Sequence, residues 1–409
     1  MLNWGQQFNI FCFLDNSQYA IQPHYYECLL AVESKAFLSA DDTIDFTSLN
    51  DFVNASPDWC FGHISYPTNP YAAPFHSTGN DAIGFPHFYF FKPHILLLIK
   101  DNELRIYADK PEDIYTDLQK ENSLYATDIL SDITVQSRLT RQQYIEAVQK
   151  IQHHIQIGDC YELNFCQEFF ATGVAVNPAI VYQRLHTISP NPFSAFYRLY
   201  DKYLICASPE RFLTKHDNIL LSQPIKGTAK RSNNKDIDNK LKEELYNSSK
   251  ERSENVMVVD LVRNDLSKVC KEGSVKVEEL YGIYSFPQVH QMISTISGEL
   301  KKDISFTDMI QATFPMGSMT GAPKKKVMEL IAQYEVSNRG IFSGTVGYID
   351  SNKNFDFNVV IRSLMYNSTN QYLSYQVGSG ITFYSDAAKE WEECLLKAEA
   401  IKKVLSSEF

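Results

Sequence analysis

No stretch of this 409-residue chain is long and apolar enough to cross a bilayer. Its most strongly apolar run, residues 94–99 (HILLLI), falls far short of the about 20 residues a spanning helix needs. The first 15 residues lack a basic segment followed by a long apolar one, so no export signal is expected and the chain reads as cytoplasmic. Positive charge is also scarce. Lys and Arg number 38 against 49 Asp and Glu, which leaves a net charge of −11. That balance argues against nucleic acid or an anionic membrane as a partner, because phosphate binding needs a local excess of Lys and Arg. It is compatible with a small anionic substrate if the pocket is locally basic or holds a metal. The eight cysteines (Cys12, Cys28, Cys60, Cys160, Cys166, Cys206, Cys270, Cys394) form no C-x-x-C pair and have no His-rich neighbour, which argues against zinc. With 44% hydrophobic residues the chain can bury its own core, so reduced thiols are expected rather than disulfide staples.

Repeats and low-complexity linkers are absent as well. Residues 1–135 hold short β-like runs, such as 87–99 and 103–107, separated by Pro, Asn and Gly. The region 136–409 begins with a helix after Thr140, where Ile145, Val148, Ile151 and Ile155 recur at helical spacing and Gly158 closes the element. Strands are expected at 160–170, 195–207, 341–350, 355–366 and 371–384. Helices are expected over 235–268, from Pro323, and from Asp386 to Val404, the last with Trp391, Leu395, Ala398, Ile401 and Leu405 in one stripe. Blocks of strands and helices without strict alternation indicate an α+β fold with antiparallel sheets, the two regions forming one intertwined unit.

Four glutamates draw attention by their spacing. Glu251 and Glu254 lie three apart on one expected helix, Glu390 and Glu393 three apart on another, so each pair turns two carboxylates to one side. If the fold joined the two helices, the result would be an all-oxygen site suited to Mg²⁺. Taken alone, each pair is most simply a solvated helix face. Lys397 follows Glu393 by four residues, the spacing of a surface ion pair. In SQPIKGTAKR (222–231), Lys226 precedes Gly227, which permits a sharp turn or close approach. A lysine in a partly desolvated pocket can become a nucleophile, and burial is expected to lower its pKa. Glu210, in SPERF, is a candidate general acid or half of an ion pair. Gly378-Ser379-Gly380 offers backbone amides to a carboxylate or is a plain tight turn. Arg362 interrupts an apolar strand and must find an anion if it points inward.

These signals occur in an order that resembles the chorismate-utilising family, which includes anthranilate synthase component I, aminodeoxychorismate synthase component I, and isochorismate and salicylate synthases. The similarity runs from about residue 140 to the C-terminus. It is carried by SPERF (208–212), PIKGT (224–228), KERSENVMVVDLVRNDLSKVC (250–270), VHQMIST (289–295), FPMGSMTGAPK (314–324), SGTVGY (343–348), IRS (361–363), and GSGI followed by EWEECLLKAEAI. The resemblance implies large antiparallel sheets packed as a sandwich with helices outside. It implies Mg²⁺ held by Glu251, Glu254, Glu390 and Glu393. Substrate carboxylates would be held by Arg362, Lys397 and the amides of Gly378 to Gly380, with Ser318 a further polar contact.

Within that family the residue at 226 discriminates: PIKGT is the aminodeoxychorismate pattern and PIAGT the anthranilate one. The implied reaction is attack of Lys226 on C2 of chorismate with loss of the C4 hydroxyl, assisted by Glu210, followed by ammonia addition at C4. Splitting a displacement through a covalent adduct makes two easier steps. The chain departs from its relatives at two positions. Glu162 stands where the amine-forming enzymes carry glutamine and the water-adding ones lysine, and Gln291 stands where histidine is common. Glutamine can donate a hydrogen bond to a departing hydroxyl but cannot carry a proton. Because no glutaminase motif accompanies these signatures, ammonia is expected from a separate glutamine amidotransferase subunit. The alternatives are conversion of chorismate to anthranilate, or a catalytically impaired chorismate-binding subunit.

Overall fold

Alternating apolar side chains set the architecture. Ile10, Cys12, Leu29 and Ala31 enter one core, while their neighbours Phe11, Phe13, Leu30 and Val32 enter another. Successive strand residues point to opposite faces, so strands Ile10–Asp15 and Cys28–Ala40 are buried on both sides over these residues. The protein is described by a computed structural model covering residues 1–19, 21–41, 45–67, 81–120 and 133–406.

The strands form one antiparallel network with two arms that meet at Phe88–Lys100. That strand pairs with Cys28–Ala40 along its whole length, with Cys60–Ile64 at its start and with Glu103–Tyr107 at its end. One arm runs from Cys28–Ala40 through Ile10–Asp15, Phe193–Leu199, Lys202–Ser208, Ser363–Asn367 and Tyr372–Ile381 to Glu162–Thr172. The other runs from Cys60–Ile64 through Thr345–Ile349, Phe355–Asn358, Arg211–His216 and Ile219–Gln223 to Val289–Glu299. Ile225–Lys230 and Lys276–Ser285 flank that last strand. Strands from the first 135 residues thus sit in the middle of the ladder that carries the C-terminal strands.

The first core continues beneath helices Ser249–Val269 and Phe306–Thr313. The second lies against helices Arg141–Gln156, Pro178–Ile188, Lys324–Tyr334 and Ala387–Val404. Tyr144, Val148 and Ile151 of the first of these are fully buried, and an aliphatic or aromatic side chain of that kind contributes roughly 1.5–3 kcal/mol of burial. This is the α+β sheet-and-helix arrangement expected from the sequence.

Three of the expected elements are divided in two. The helical stretch 235–268 is two helices, Lys235–Asn247 and Ser249–Val269, because Ser248 is extended (φ −66°, ψ 113°) and its hydroxyl caps the second by accepting from the Glu251 amide. The run 195–207 is a hairpin that turns at Tyr200, whose φ is +57°. The run 355–366 is broken into Phe355–Asn358 and Ser363–Asn367 by residues 359–362. The first break orients the acidic helix, and the last frees Arg362.

Candidate active site

A bulge brings Lys226 into contact with Glu162. The pairing of Ile225–Lys230 with Val289–Glu299 slips between Ile225 and Thr228, and Gly227 within the slip has φ +100°, which a glycine adopts freely. Lys226 there donates to Glu162 Oε1 from the start of strand Glu162–Thr172. The two side chains are 14% and 3% exposed. Gly380 is the seat of the pair: a Cβ on it would lie 2.6 Å from Glu162 Oε1 and 2.8 Å from Lys226 Nζ. Burial works against the lysine's charge, but Glu162, Glu254 and Glu210 together outweigh it and hold the amine above its ordinary range. Burial acts in the expected direction, and the net shift is upward nonetheless. The carboxylates bordering the pocket reverse the sign.

Glu210 lies between strands Lys202–Ser208 and Arg211–His216 and is 3% exposed. Burial pushes its carboxyl up to about 7, although Ser318, the Ile225 backbone, Lys226 and Arg362 each pull the other way. The Ser318 hydroxyl is buried and makes no hydrogen bond of normal geometry among the described residues. Arg362 has φ +50°, a left-handed conformation that costs an arginine about 1–3 kcal/mol. Burial lowers its pKa to about 10, Glu210 opposing. Its guanidinium has no hydrogen-bond or ion-pair partner at contact distance among the described residues. A buried carboxyl that is half protonated near neutrality and a partly buried guanidinium without a partner among the described residues together suit an acidic substrate that needs a proton donor.

The four spaced glutamates come together around Lys250. Burial opposes the charge of Lys250, yet Glu254, Glu251, Glu390 and Glu393 raise its pKa. Glu254 is pushed up to about 7, chiefly by burial, and Glu251 is raised for the same reason. Glu393 moves down: burial pushes it up, but Lys397, 2.7 Å away, together with Lys250 and Lys226 outweighs that. Lys250 approaches Glu254 at 3.9 Å. Glu390 is 5% exposed and has no ion-pair partner among the described residues. No three acidic, His or Cys side chains among the described residues already converge on one ion-sized point. The donor set nevertheless fits a hard divalent cation, since the cluster is all carboxylate and is short of positive charge.

Other expected residues take more limited places. Gly378-Ser379-Gly380 is not a turn but the end of strand Tyr372–Ile381, in register with Cys166, Phe165 and Asn164. The partner on its other edge stops at Tyr375, so only the amides facing that open side are available to a ligand. The Ser379 side chain points into the core, bonded to the Tyr144 hydroxyl at 3.2 Å. Lys397 is 45% exposed and donates to the Gly378 carbonyl at 2.9 Å besides pairing with Glu393. Gln291 is buried with Oε1 unpaired, on a strand beside Thr228.

Supporting contacts behind the site were not legible in the sequence. Arg339 and Glu335, four apart and both buried, form an ion pair at 2.7 Å. Arg339 also donates to the carbonyls of Met319 and Asn164, and Glu335 accepts from the Cys166 amide. This clamp joins the Ser318 turn to the Glu162 strand. Lys324 likewise ties Asp265 to the same turn region, at 2.6 Å. Their i,i+4 spacing was a signal for the first pair; nothing local announced the second. A hollow of about 20 Å³ adjoins Glu210 and Ser318, and one of about 70 Å³ lies elsewhere, beside Arg211 and Asp356. Of the candidate site residues, Glu210 and Ser318 line the smaller one.

Residues 16–403 match the family of chorismate binding enzymes, and the chain belongs to that family. It is 38% identical to aminodeoxychorismate synthase component 1 of Escherichia coli K12 over 270 residues, 66% of this chain and 59% of that protein. It is 34% identical to the anthranilate synthase component I-like protein of Synechocystis over 331 residues, 80% of this chain and 68% of that one. Anthranilate synthase component 1 of Aquifex aeolicus is 35% identical over 269 residues, 66% of this chain and 54% of that protein. The matched stretch thus spans between just over half and about two thirds of these relatives' lengths. Among solved structures, anthranilate synthase component I from Streptococcus pneumoniae TIGR4 superposes with TM-score 0.82 at 23% identity, covering 94% of this chain and 93% of that one. The menaquinone-specific isochorismate synthase of Escherichia coli gives 0.80 at 15%, covering 99% and 91%. At those identities the likeness establishes the shared fold.

Proposed function

We propose that this protein aminates chorismate at C4 with ammonia, forming 4-amino-4-deoxychorismate in the cytoplasm, with Lys226 as covalent nucleophile. The observation that carries the reading is Lys226 itself, buried beside Glu162 and in the electrostatic reach of Glu210. In this scheme Lys226 bonds to C2, Glu210 gives its proton to the departing C4 oxygen, and ammonia then attacks C4 as the lysine leaves. A carboxyl titrating near 7 suits that proton transfer at neutral pH. Arg362, Lys397 and the open-edge amides of 378–380 bind the two substrate carboxylates, and Gln291 and Ser318 contact the ring substituents. Glu251, Glu254, Glu390 and Glu393 hold Mg²⁺, directly or through water. The ion supplies positive charge that offsets a substrate carboxylate in a dry pocket.

Ammonia comes from a separate glutamine amidotransferase subunit, in keeping with the "component 1" naming of the relatives. Anthranilate formation is the second reading, because a relative of that name is 35% identical over a similar stretch. Mass spectrometry of the product from chorismate, NH₄⁺ and Mg²⁺ separates the two. The proposal expects 4-amino-4-deoxychorismate, and fluorescent anthranilate as the main product would replace it with the second reading.

A further inference from the structure

Resting on the reading above, we infer that Glu162 is a latch on the nucleophile. It holds Lys226 as an ammonium against Gly380 and sets how alkaline the site must become before the amine can attack. The geometry is specific. Glu162 Oε1 is the acceptor that the Lys226 ammonium reaches, and the lysine has no other side-chain partner at hydrogen-bond distance among the described residues. Both side chains are buried, so water screens the pair poorly. The pair occupies the space that a Cβ on residue 380 would fill.

The strongest charges acting on Lys226 from the surrounding elements are negative, while Lys250, Lys397 and Arg362 border the same carboxylates. Glu162 comes from strand Glu162–Thr172, Glu210 from the segment before Arg211, Glu251 and Glu254 from helix Ser249–Val269, and Glu393 from the last helix. Glu162 alone is at contact distance. A cation bound among Glu251, Glu254, Glu390 and Glu393 would offset those four and leave Glu162, in contact, and Glu210 as the remaining counter-charges.

An ammonium has no lone pair to give, so the bond to C2 cannot form until a proton leaves. The balance is then simple. Lys226 releases one proton, its nitrogen bonds to C2, both ring double bonds shift one place, and the C4–O bond breaks. Glu210 protonates the departing oxygen as water. Ammonia forms the C4–N bond with the reverse shift, the C2–N bond breaks, and Lys226 regains its proton. Ammonia's own added proton returns to Glu210. Glu162→Gln keeps the size and a carbonyl acceptor but removes the charge. Burial then acts against the ammonium with less opposition, and the amine is freed at lower pH.

The test uses the Mg²⁺-loaded enzyme without chorismate, pulsed with acetic anhydride from pH 7 to 10. Lys226 acetylation is read by peptide mass spectrometry against the exposed Lys240. In Glu162→Gln the Lys226 labelling rate at pH 8 should rise at least about tenfold, the effect of a one-unit fall in the amine's pKa. Glu162→Met, uncharged and of similar length, should move it the same way and serves if the first variant is unstable. Unchanged or slower labelling of Lys226 in both overturns the latch. A second arm mixes each protein with chorismate without ammonia and quenches. The Lys226 adduct should form faster at pH 8 in Glu162→Gln. If labelling shifts and no adduct forms in any protein, the latch stands and the covalent reading of the reaction fails.

Discussion

Replacing Glu210 with glutamine should make the protein less active and, at alkaline pH, relatively more stable. Glu210 is 3% exposed and its carboxyl is pushed up to about 7 by burial. In the unfolded chain the same group titrates near its ordinary value of 4.5. A carboxyl whose folded pKa is raised contributes stability that is fully present below the unfolded value and is lost as pH rises through the folded one. The difference, 7 less 4.5, corresponds at most to roughly 3 kcal/mol lost between pH 4.5 and 8. Glu210→Gln cannot ionise, so it should lack that component. Part of the gain is offset because Arg362 loses its nearby anion. We therefore expect urea unfolding of the wild type to lose about 2–3 kcal/mol more between pH 5 and 8 than the variant does. Turnover at fixed free ammonia should fall by roughly 10²–10⁴, the usual contribution of a positioned general acid. Equal pH dependence of stability in the two proteins would refute the burial argument. Wild-type turnover in the variant would refute the acid assignment.

Two further outcomes follow from the same site. Glu254→Ala and Glu393→Ala should each lose most activity while keeping the fold, and Mg²⁺ should raise the thermal midpoint of the wild type but not of the double variant. EDTA should silence the wild type reversibly, and full activity of the double variant in EDTA would remove the metal assignment. The isolated chain should use ammonium at high pH and leave glutamine untouched until an amidotransferase is added, as followed by glutamate release.

Local patterns announced much of this fold. Ile145 and Val148 at helical spacing, with Thr140 ahead of them, marked a helix that the structure opens with a capping box to Gln143. The paired glutamates were legible as two helix faces, but their convergence around Lys250 depends on which strands lie between residues 269 and 387, and spacing carries no such information. The break at Ser248 escaped notice because serine is tolerated in a helix, and only its cap on Glu251 reveals it as a start. The Gly378 to Gly380 segment looked like a turn; its glycines instead thin a strand so that Glu162 and Lys226 fit against it. The raised lysine pKa was out of reach for the same reason. Burial was readable from Ile225 and Gly227, whereas the carboxylates that overrule it arrive from 162, 210 and 254. The Arg339–Glu335 clamp shows the reverse case, an ordinary i,i+4 pair whose burial only the packed structure discloses.

The covalent role of Lys226 is the centre of the account, and one measurement addresses it directly. The Mg²⁺-loaded protein is mixed with chorismate in the absence of ammonia at pH 9, quenched within milliseconds to seconds, digested and weighed. The account predicts that the peptide bearing Lys226 gains the mass of chorismate less one water, and that Lys226→Arg, whose guanidinium stays protonated, shows no such gain and makes no 4-amino-4-deoxychorismate. An unmodified Lys226 peptide, together with wild-type product formation by Lys226→Arg, would contradict it and leave the lysine an electrostatic contact.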